Sequence, residues 1–149
     1  MSKPTILVTG GAGYIGSHAV KALQTVGYQV LVLDNLVYGH QDIAKTLGVE
    51  LIIGDTTDRP LLDKLFSDRA ISAVMHFAAY AYVGESVSQP DKYYRNNVVG
   101  TLVLLEAMIA ADIKNFVFSS PALVMVCHSK FRLRRNIPKR RLTLMGQQS

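Results

Sequence analysis

The sequence predicts an α/β fold, a doubly wound parallel sheet of about five strands, and three observations predict it. Short β-branched runs alternate with longer segments of helical period from Thr5 to Ser119. The first run, TILVT, is apolar at its centre rather than alternating, as in strands covered on both faces. A glycine-rich turn, TGGAGYIG, joins that run to the first helical segment. Strand–helix alternation of this kind is satisfied by parallel pairing with right-handed crossovers, which puts helices on both faces of one sheet.

Thr5 to Thr9 is the first strand. From Tyr14 to Val26, Ile15, Ala19, Ala22, Leu23 and Val26 recur at helical spacing, and Gly27 stops the helix. QVLVLD is a second strand ending at Asp34, and Glu50 to Ile53 a third. Pro60 opens the helix that follows, at the first turn, where its missing N–H costs nothing. Ala73 to Phe77 is the fourth strand. Asp91 to Ala111 reads as mostly one long helix with Gly100 an interior weakness, and Asn115 to Ser119 as the fifth strand. Such sheets normally continue past a fifth strand, so this one is expected to be incomplete, with its last strand an exposed edge.

Composition narrows the setting. Of the 149 residues 49% are hydrophobic and 18% charged, the balance of a globular chain. The formal charge of +5 belongs to one end. Up to Ser120 there are 9 Lys+Arg against 11 Asp+Glu, whereas residues 121–149 carry 7 basic groups and no acidic one. Residues 1–120, which hold the strand–helix units and the glycine turn, are therefore expected to form the α/β portion, and 121–149 an irregular basic tail without a domain of its own. The single cysteine, Cys127, allows no internal disulfide, and no apolar run reaches bilayer length, so a cytoplasmic protein without membrane partners is expected. There is no Cys-x-x-Cys, His-Glu-x-x-His or other metal-ligand spacing, and no metal is expected.

Gly11-x-Gly13-x-x-Gly16, with Gly10 in front, has a physical purpose. An early glycine turns the chain off the strand, Gly13 lets a pyrophosphate approach the backbone, and Gly16 lets the helix pack closely. The helix N-terminus supplies unpaired N–H groups. The motif follows a strand and opens a helix, the setting that makes it a dinucleotide fingerprint and the sheet Rossmann-like. Asp34 closes the second strand 18 positions after Gly16. A carboxylate there accepts hydrogen bonds from ribose hydroxyls and repels a 2′-phosphate, favouring NAD over NADP.

Other residues leave alternatives open. Asp55, in GDTTD, suits either an adenine contact or a turn. His76 is flanked by apolar residues and reads as a structural group rather than a base. Asn96 could reach the pocket or face solvent. Tyr80, Tyr82, Tyr93 and Tyr94 read as packing or surface residues.

Together, TGGAGYIGSH, VLDNL, GDTTD, HFAAYAYVGESVSQPDKYYRNNVVGT and FVFSS resemble the UDP-glucose 4-epimerases, within the extended short-chain dehydrogenase/reductase group. The likeness runs from about Thr5 to Ser120. TGGAGYIG marks the wider group, whereas VGES with the following Tyr-Tyr-x-Asn-Asn is much more specific. The resemblance implies that Gly10, Gly13, Tyr14, Ile15 and Gly16 cradle the pyrophosphate of NAD. It further implies that Asp34 and Asn35 hold the ribose, Asp55 and Thr56 the adenine, and that Phe77, Ala78 and Ala79 line the pocket while Asn96 contacts the cofactor. The family reaction interconverts UDP-glucose and UDP-galactose in galactose metabolism. Bound NAD takes a hydride from C4 of the UDP-sugar and returns it to the opposite face, a tyrosine serving as base beside a lysine four residues on. A homodimer is typical. Sugar-nucleotide dehydratases and decarboxylases share the loop and the sheet and remain the alternative within the enzyme class.

The tail departs from this pattern. The family continues Ser-Ser-[Ser/Thr]-x-x-x-Tyr-Gly and later Asn-Pro-Tyr-Gly-x-[Ser/Thr]-Lys. Here Pro121 holds the third position and no Tyr follows Tyr94, so no catalytic residue is assigned and the sugar-gripping domain is not expected. A reading frame displaced by one nucleotide from Pro121 onward accounts for this. Codons spanning Met125–Val126 and Met145–Gly146 are then forced to glycine, each after a codon that permits Tyr. Gln148–Ser149 permits Lys four codons after the second Tyr, and Ser120–Pro121 permits Thr four before the first. The chain is thus expected to be a shortened, inactive epimerase-like protein. The rival is a non-catalytic nucleotide-binding module whose cationic arm binds an acidic partner. Nucleic acid fits that arm poorly, because its only aromatic residue is Phe131.

Overall fold

The computed structural model describes residues 3–119. The expectations for 120–149, including Pro121, Cys127 and the displaced frame, lie outside the described residues.

Five strands form one parallel sheet: β1 (Thr5–Thr9), β2 (Gln29–Asp34), β3 (Glu50–Ile53), β4 (Ile71–His76) and β5 (Asn115–Phe118). Their order is β3-β2-β1-β4-β5. The chain winds outward from β1 to β3 and then crosses back to the other side of β1, so the order reverses between β1 and β4. That reversal opens a crevice at the carboxyl ends of the strands.

Side chains alternate across β1, and each face buries a different set. Leu7 packs with Leu31, Leu33 and Val74 against Leu62, Leu65 and Phe66 of α3 (Arg59–Asp68) and Leu104, Ala107 and Met108 of α6 (Gly100–Ala110). Ile6, Val8 and Val32 face Val20 and Leu23 of α1 (Tyr14–Thr25) and Leu47 of α2 (Gln41–Leu47). The spacings 62, 65, 66 and 104, 107, 108 are the i, i+3, i+4 pattern of a helix face turned to a core. Each such Leu contributes ~2 kcal/mol by leaving water. Asp58 caps α3 by accepting from Leu61 N, and Pro60 lies in its first turn.

Three expectations are corrected. The fourth strand begins at Ile71, not Ala73, and ends at His76. Its register against β1 jumps from Thr5–Ile71 to Ile6–Ala73, so Ser72 is an extra residue accommodated by a bulge, which interrupts the apolar run the sequence shows. The long helix is divided into α5 (Pro90–Tyr94), a π-helical turn (Arg95–Val99) and α6. Gly100 begins α6 and is no weakness: a Cβ there would stand 2.6 Å from Thr56 Oγ1, so glycine is what lets the helix reach the loop after β3. Finally, β5 ends at Phe118.

Two short helices, α2 and α4 (Val83–Ser88), carry too few turns to show in the sequence pattern. Val117 and Phe118 are half exposed, and no strand pairs with the outer side of β5 among the described residues. No helix among them is long and apolar enough to cross a membrane, and no cluster of three or more His, Cys, Asp or Glu is placed to hold a metal ion.

Candidate functional site

The turn from β1 into α1 is built on close backbone contact. Gly10 continues the sheet, its N–H donating to Leu33 O (2.8 Å), and then adopts φ +71, a conformation only glycine takes without strain. A Cβ at Gly10 would also press on the backbone of Phe77 and Ala78 at 2.7 Å. Gly13 donates to Gly10 O (3.2 Å) and is the N-cap of α1 with no side chain to cap it. The first intrahelical bond of α1 comes from Ser17 N to Gly13 O, which leaves the N–H groups of Tyr14, Ile15 and Gly16 as the unpaired donors every helix presents at its start.

A cleft opens over this turn at the strand reversal. Of the thirteen candidate residues, it brings together Gly10, Gly13, Asp34, Asn35, Asp55, Thr56, Phe77, Ala78, Ala79 and Asn96. Tyr14, Ile15 and Gly16 are not in its lining. The Tyr14 and Ile15 side chains point to solvent, and Gly16 is buried against Gly10, so only the backbone groups of these three are left as candidates to meet a ligand.

Asp34 is buried at the end of β2, its Oδ2 accepting from Ala12 N (3.0 Å) and its Oδ1 from Leu36 N (2.9 Å). The glycine turn and the loop after β2 are thereby tied to one carboxylate. Asn35 donates from Nδ2 to Asp55 Oδ2 (2.8 Å), and Asp55 Oδ1 accepts from Thr57 N (2.9 Å) and Thr57 Oγ1 (2.8 Å). Burial pushes the Asp55 carboxyl up, but the bonds from Thr57 and Asn35 outweigh it and hold the group below its ordinary value. Asp55 is thus both a turn residue and part of the cleft wall.

The π-helical turn settles the question of Asn96. Two adjacent asparagines lie within it, one in the cleft wall and one against the loop after β4. Asn96 is buried in the cleft wall and donates to Asn97 Oδ1 (2.8 Å). Asn97 clamps the peptide groups of Tyr80, accepting from its N–H (2.8 Å) and donating to its carbonyl (2.9 Å). The loop Phe77–Tyr80 is fixed by that amide.

His76 is a structural group. Thr101 Oγ1 donates to Asn97 O (2.8 Å), so it accepts from His76 Nε2 (3.0 Å), and His76 Nδ1 is left to accept from Thr9 Oγ1 (2.6 Å). Burial lowers its pKa to about 4, and its ring stacks on Phe118 and Phe116.

Several residues of the site are not legible as such in the sequence. Tyr38, Gly39 and Tyr80 line the cleft, and Tyr80 is a wall residue rather than surface. The signal that points to them is position: each follows the carboxyl end of a strand within a few residues. Tyr93 is buried, whereas Tyr82 and Tyr94 are exposed. Glu85 gathers Lys92, Tyr93 and Tyr38 around its carboxylate, and hydrogen bonds from Lys92 first, then Tyr93 and Tyr38, pull its pKa down to about 2. Burial first, and the bond to Glu85 second, raise Tyr93 to about 12.

A family model described as the NAD dependent epimerase/dehydratase family matches residues 6–125. A UDP-glucose 4-epimerase of Halalkalibacterium halodurans is 54% identical over 117 residues, covering 78% of this chain and 34% of the relative. One from Yersinia pestis is 50% identical over 125 residues, covering 80% and 37%. Among solved structures, UDP-glucose-4-epimerase from Stenotrophomonas maltophila with bound NAD and formylated UDP-arabinopyranose superposes with a TM-score of 0.79 at 41% identity, over 81% of this chain and 38% of that one. The chain spans little more than a third of the length of these relatives. The fold with its order reversal, the glycine turn and the matched 6–125 span agree, and the chain belongs to the NAD dependent epimerase/dehydratase family.

Proposed function

We propose that this chain binds NAD across the carboxyl ends of β1–β4. The observation that carries the reading is the convergence of Gly10, Gly13, Asp34, Asp55 and Asn96 in one cleft at the strand reversal. Gly10 and Gly13, with the N–H groups of Tyr14, Ile15 and Gly16, cradle the pyrophosphate. Asp34, with Asn35 beside it, takes the adenosine ribose: each carboxylate oxygen accepts one backbone bond and keeps capacity for another. A 2′-phosphate would meet that charge, which favours NAD over NADP. Asp55 and Thr56 contact the adenine, Phe77, Ala78 and Ala79 pack on the cofactor, and Asn96 hydrogen-bonds to it. When bound, NAD supplies hydride acceptance and return.

The similarity to UDP-glucose 4-epimerases supports a wider reading, that the lineage acts on UDP-sugars by interconverting UDP-glucose and UDP-galactose in galactose metabolism, in the cytoplasm. The chain alone is inactive in that reaction, because no Tyr follows Tyr94 and Tyr-x-x-x-Lys is missing. The boundary at 120/121 marks a displaced reading frame, which resequencing of the gene across the codons for Ser119 to Pro121 tests. A second copy is the partner: Tyr94, Val98, Leu102 and Ile109 are more than half exposed at helical spacing, an apolar stripe ~22 Å long. Leu102→Glu is expected to turn a sedimenting dimer into a monomer.

Calorimetric titration of the purified chain tests the central claim. Saturable NAD binding that Asp34→Ala abolishes is expected, with NADP binding weaker; no saturable binding refutes it. Any conversion of UDP-galactose by the chain would refute the inactivity. The competing reading, a cationic binding arm, is favoured by the seven basic residues of 121–149 and predicts salt-dependent retention on an acidic polymer that deletion of 122–149 removes.

A further inference from the structure

Two loops that leave non-neighbouring strands meet across the cleft. Tyr38 follows β2 and Tyr80 follows β4, both line the cleft, and their rings touch edge to face with centroids 5.2 Å apart. β1 lies between those two strands, so the contact spans the carboxyl end of the strand that delivers Gly10. With neighbouring strands ~4.8 Å apart, the span bridged is on the order of 10 Å.

Glu85, on α4, secures the junction. Its Oε2 accepts from Tyr38 Oη (2.9 Å) and its Oε1 from Lys92 Nζ (2.6 Å). The same ammonium lies 5.1 Å from the Tyr80 ring centroid and 5.9 Å from that of Tyr38, so one cation attracts both rings. Lys92, Tyr80 and Glu85 all belong to the β4 side; Tyr38 alone comes from the other. The crossing therefore depends on the Tyr38 ring and on one hydroxyl–carboxylate bond. That bond is charge-assisted but exposed, so water competes for both partners. It is suited to opening and closing, unlike the Asn97–Tyr80 clamp, which is partly buried and closes two bonds from one amide.

We propose that the Tyr38–Glu85 hydrogen bond is a latch over the dinucleotide cleft, opened for the ligand to enter or leave and slowing its escape when closed. The proposal rests on the dinucleotide reading above. A dinucleotide laid on the glycine turn, with ribose at Asp34 and its other half beyond Phe77–Ala79, passes beneath the junction and is enclosed when the junction closes.

Stopped-flow displacement tests the latch: the full chain is loaded with NADH, mixed with excess NAD, and the loss of NADH fluorescence gives the dissociation rate. Tyr38→Phe keeps the ring and removes the hydroxyl; Glu85→Ala removes the acceptor, at a residue that does not itself line the cleft. Each is expected to raise the dissociation rate about threefold to tenfold, the range one net hydrogen bond supplies. The double variant is expected to be no faster than the quicker single one, because both remove the same link. Unchanged rates in both single variants, or multiplicative effects in the double one, overturn the latch while leaving dinucleotide binding intact. A wild-type chain that takes up no NADH overturns the dinucleotide reading itself, and the latch with it.

Discussion

Gly16, on the first turn of α1, lies directly against the backbone of Gly10: a Cβ at Gly16 would stand 2.8 Å from the Gly10 carbonyl carbon and 2.9 Å from Gly11 Cα. Both obstacles are main chain, which cannot rotate aside as a side chain can. Helix and turn are thus held at a separation that only glycine permits, and the position of the first N–H groups of α1 follows from it.

Gly16→Ala is therefore expected to push α1 away from the turn and to destabilise the fold by ~1–3 kcal/mol, as overpacking does. NAD affinity should fall with it. Urea unfolding and calorimetry measure the two effects; a variant with unaltered midpoint and affinity would show that the turn yields without cost.

The Asn97 clamp makes a second expectation. Asn97→Asp keeps the acceptor for Tyr80 N but sets an oxygen against Tyr80 O where a donor stood. A loss of ~1–3 kcal/mol is expected, with weaker NAD binding because the Phe77–Tyr80 wall is released. Stability equal to that of the parent chain would remove Asn97 from the account.

His76 predicts an acid dependence. Its pKa is depressed from 6.5 to about 4 on folding, so the neutral form is the native one. Below pH 6.5 the unfolded chain gains a proton that the folded chain refuses until about pH 4, and stability is lost over that window as pH falls. The contribution is ~3 kcal/mol. His76→Phe, which keeps a ring beside Phe116 and Phe118, is expected to flatten the fall in urea midpoint between pH 7 and 4. Equal slopes in both proteins would contradict this.

Gly100→Ala should act at a distance in sequence. The added Cβ meets Thr56 Oγ1 at 2.6 Å, and Thr56 lines the cleft. Reduced NAD affinity with a smaller loss of stability is expected, because a hydroxyl can rotate where a backbone cannot. Wild-type affinity would place Thr56 outside the contact surface.

Much of the architecture was legible in one dimension because burial on both faces writes itself into composition. Thr5–Thr9, Gln29–Asp34 and Glu50–Ile53 read as strands and are strands, since apolar, β-branched runs have few other uses. The start of the fourth strand is hidden in the sequence because Ser72, a bulge residue, interrupts the run while the ladder continues on either side. The π-turn in the helix after Pro90 leaves no mark in the sequence because one inserted residue leaves the apolar period almost unchanged.

The site divides in the same way. Gly10, Gly13, Gly16 and Asp34 announce themselves by type and spacing, because a tight turn and a strand-end carboxylate impose strict local demands. Asn96, Tyr38, Tyr80 and Glu85 impose none: their roles come from which loops the strand order brings together. The sequence by itself determined the fold class, the glycine turn into α1 and the charge at the end of β2, all properties of neighbours along the chain. Only the tertiary structure decided that the loops after β2 and β4 meet over that turn, because β1 between them sets their distance and no local residue pattern encodes it.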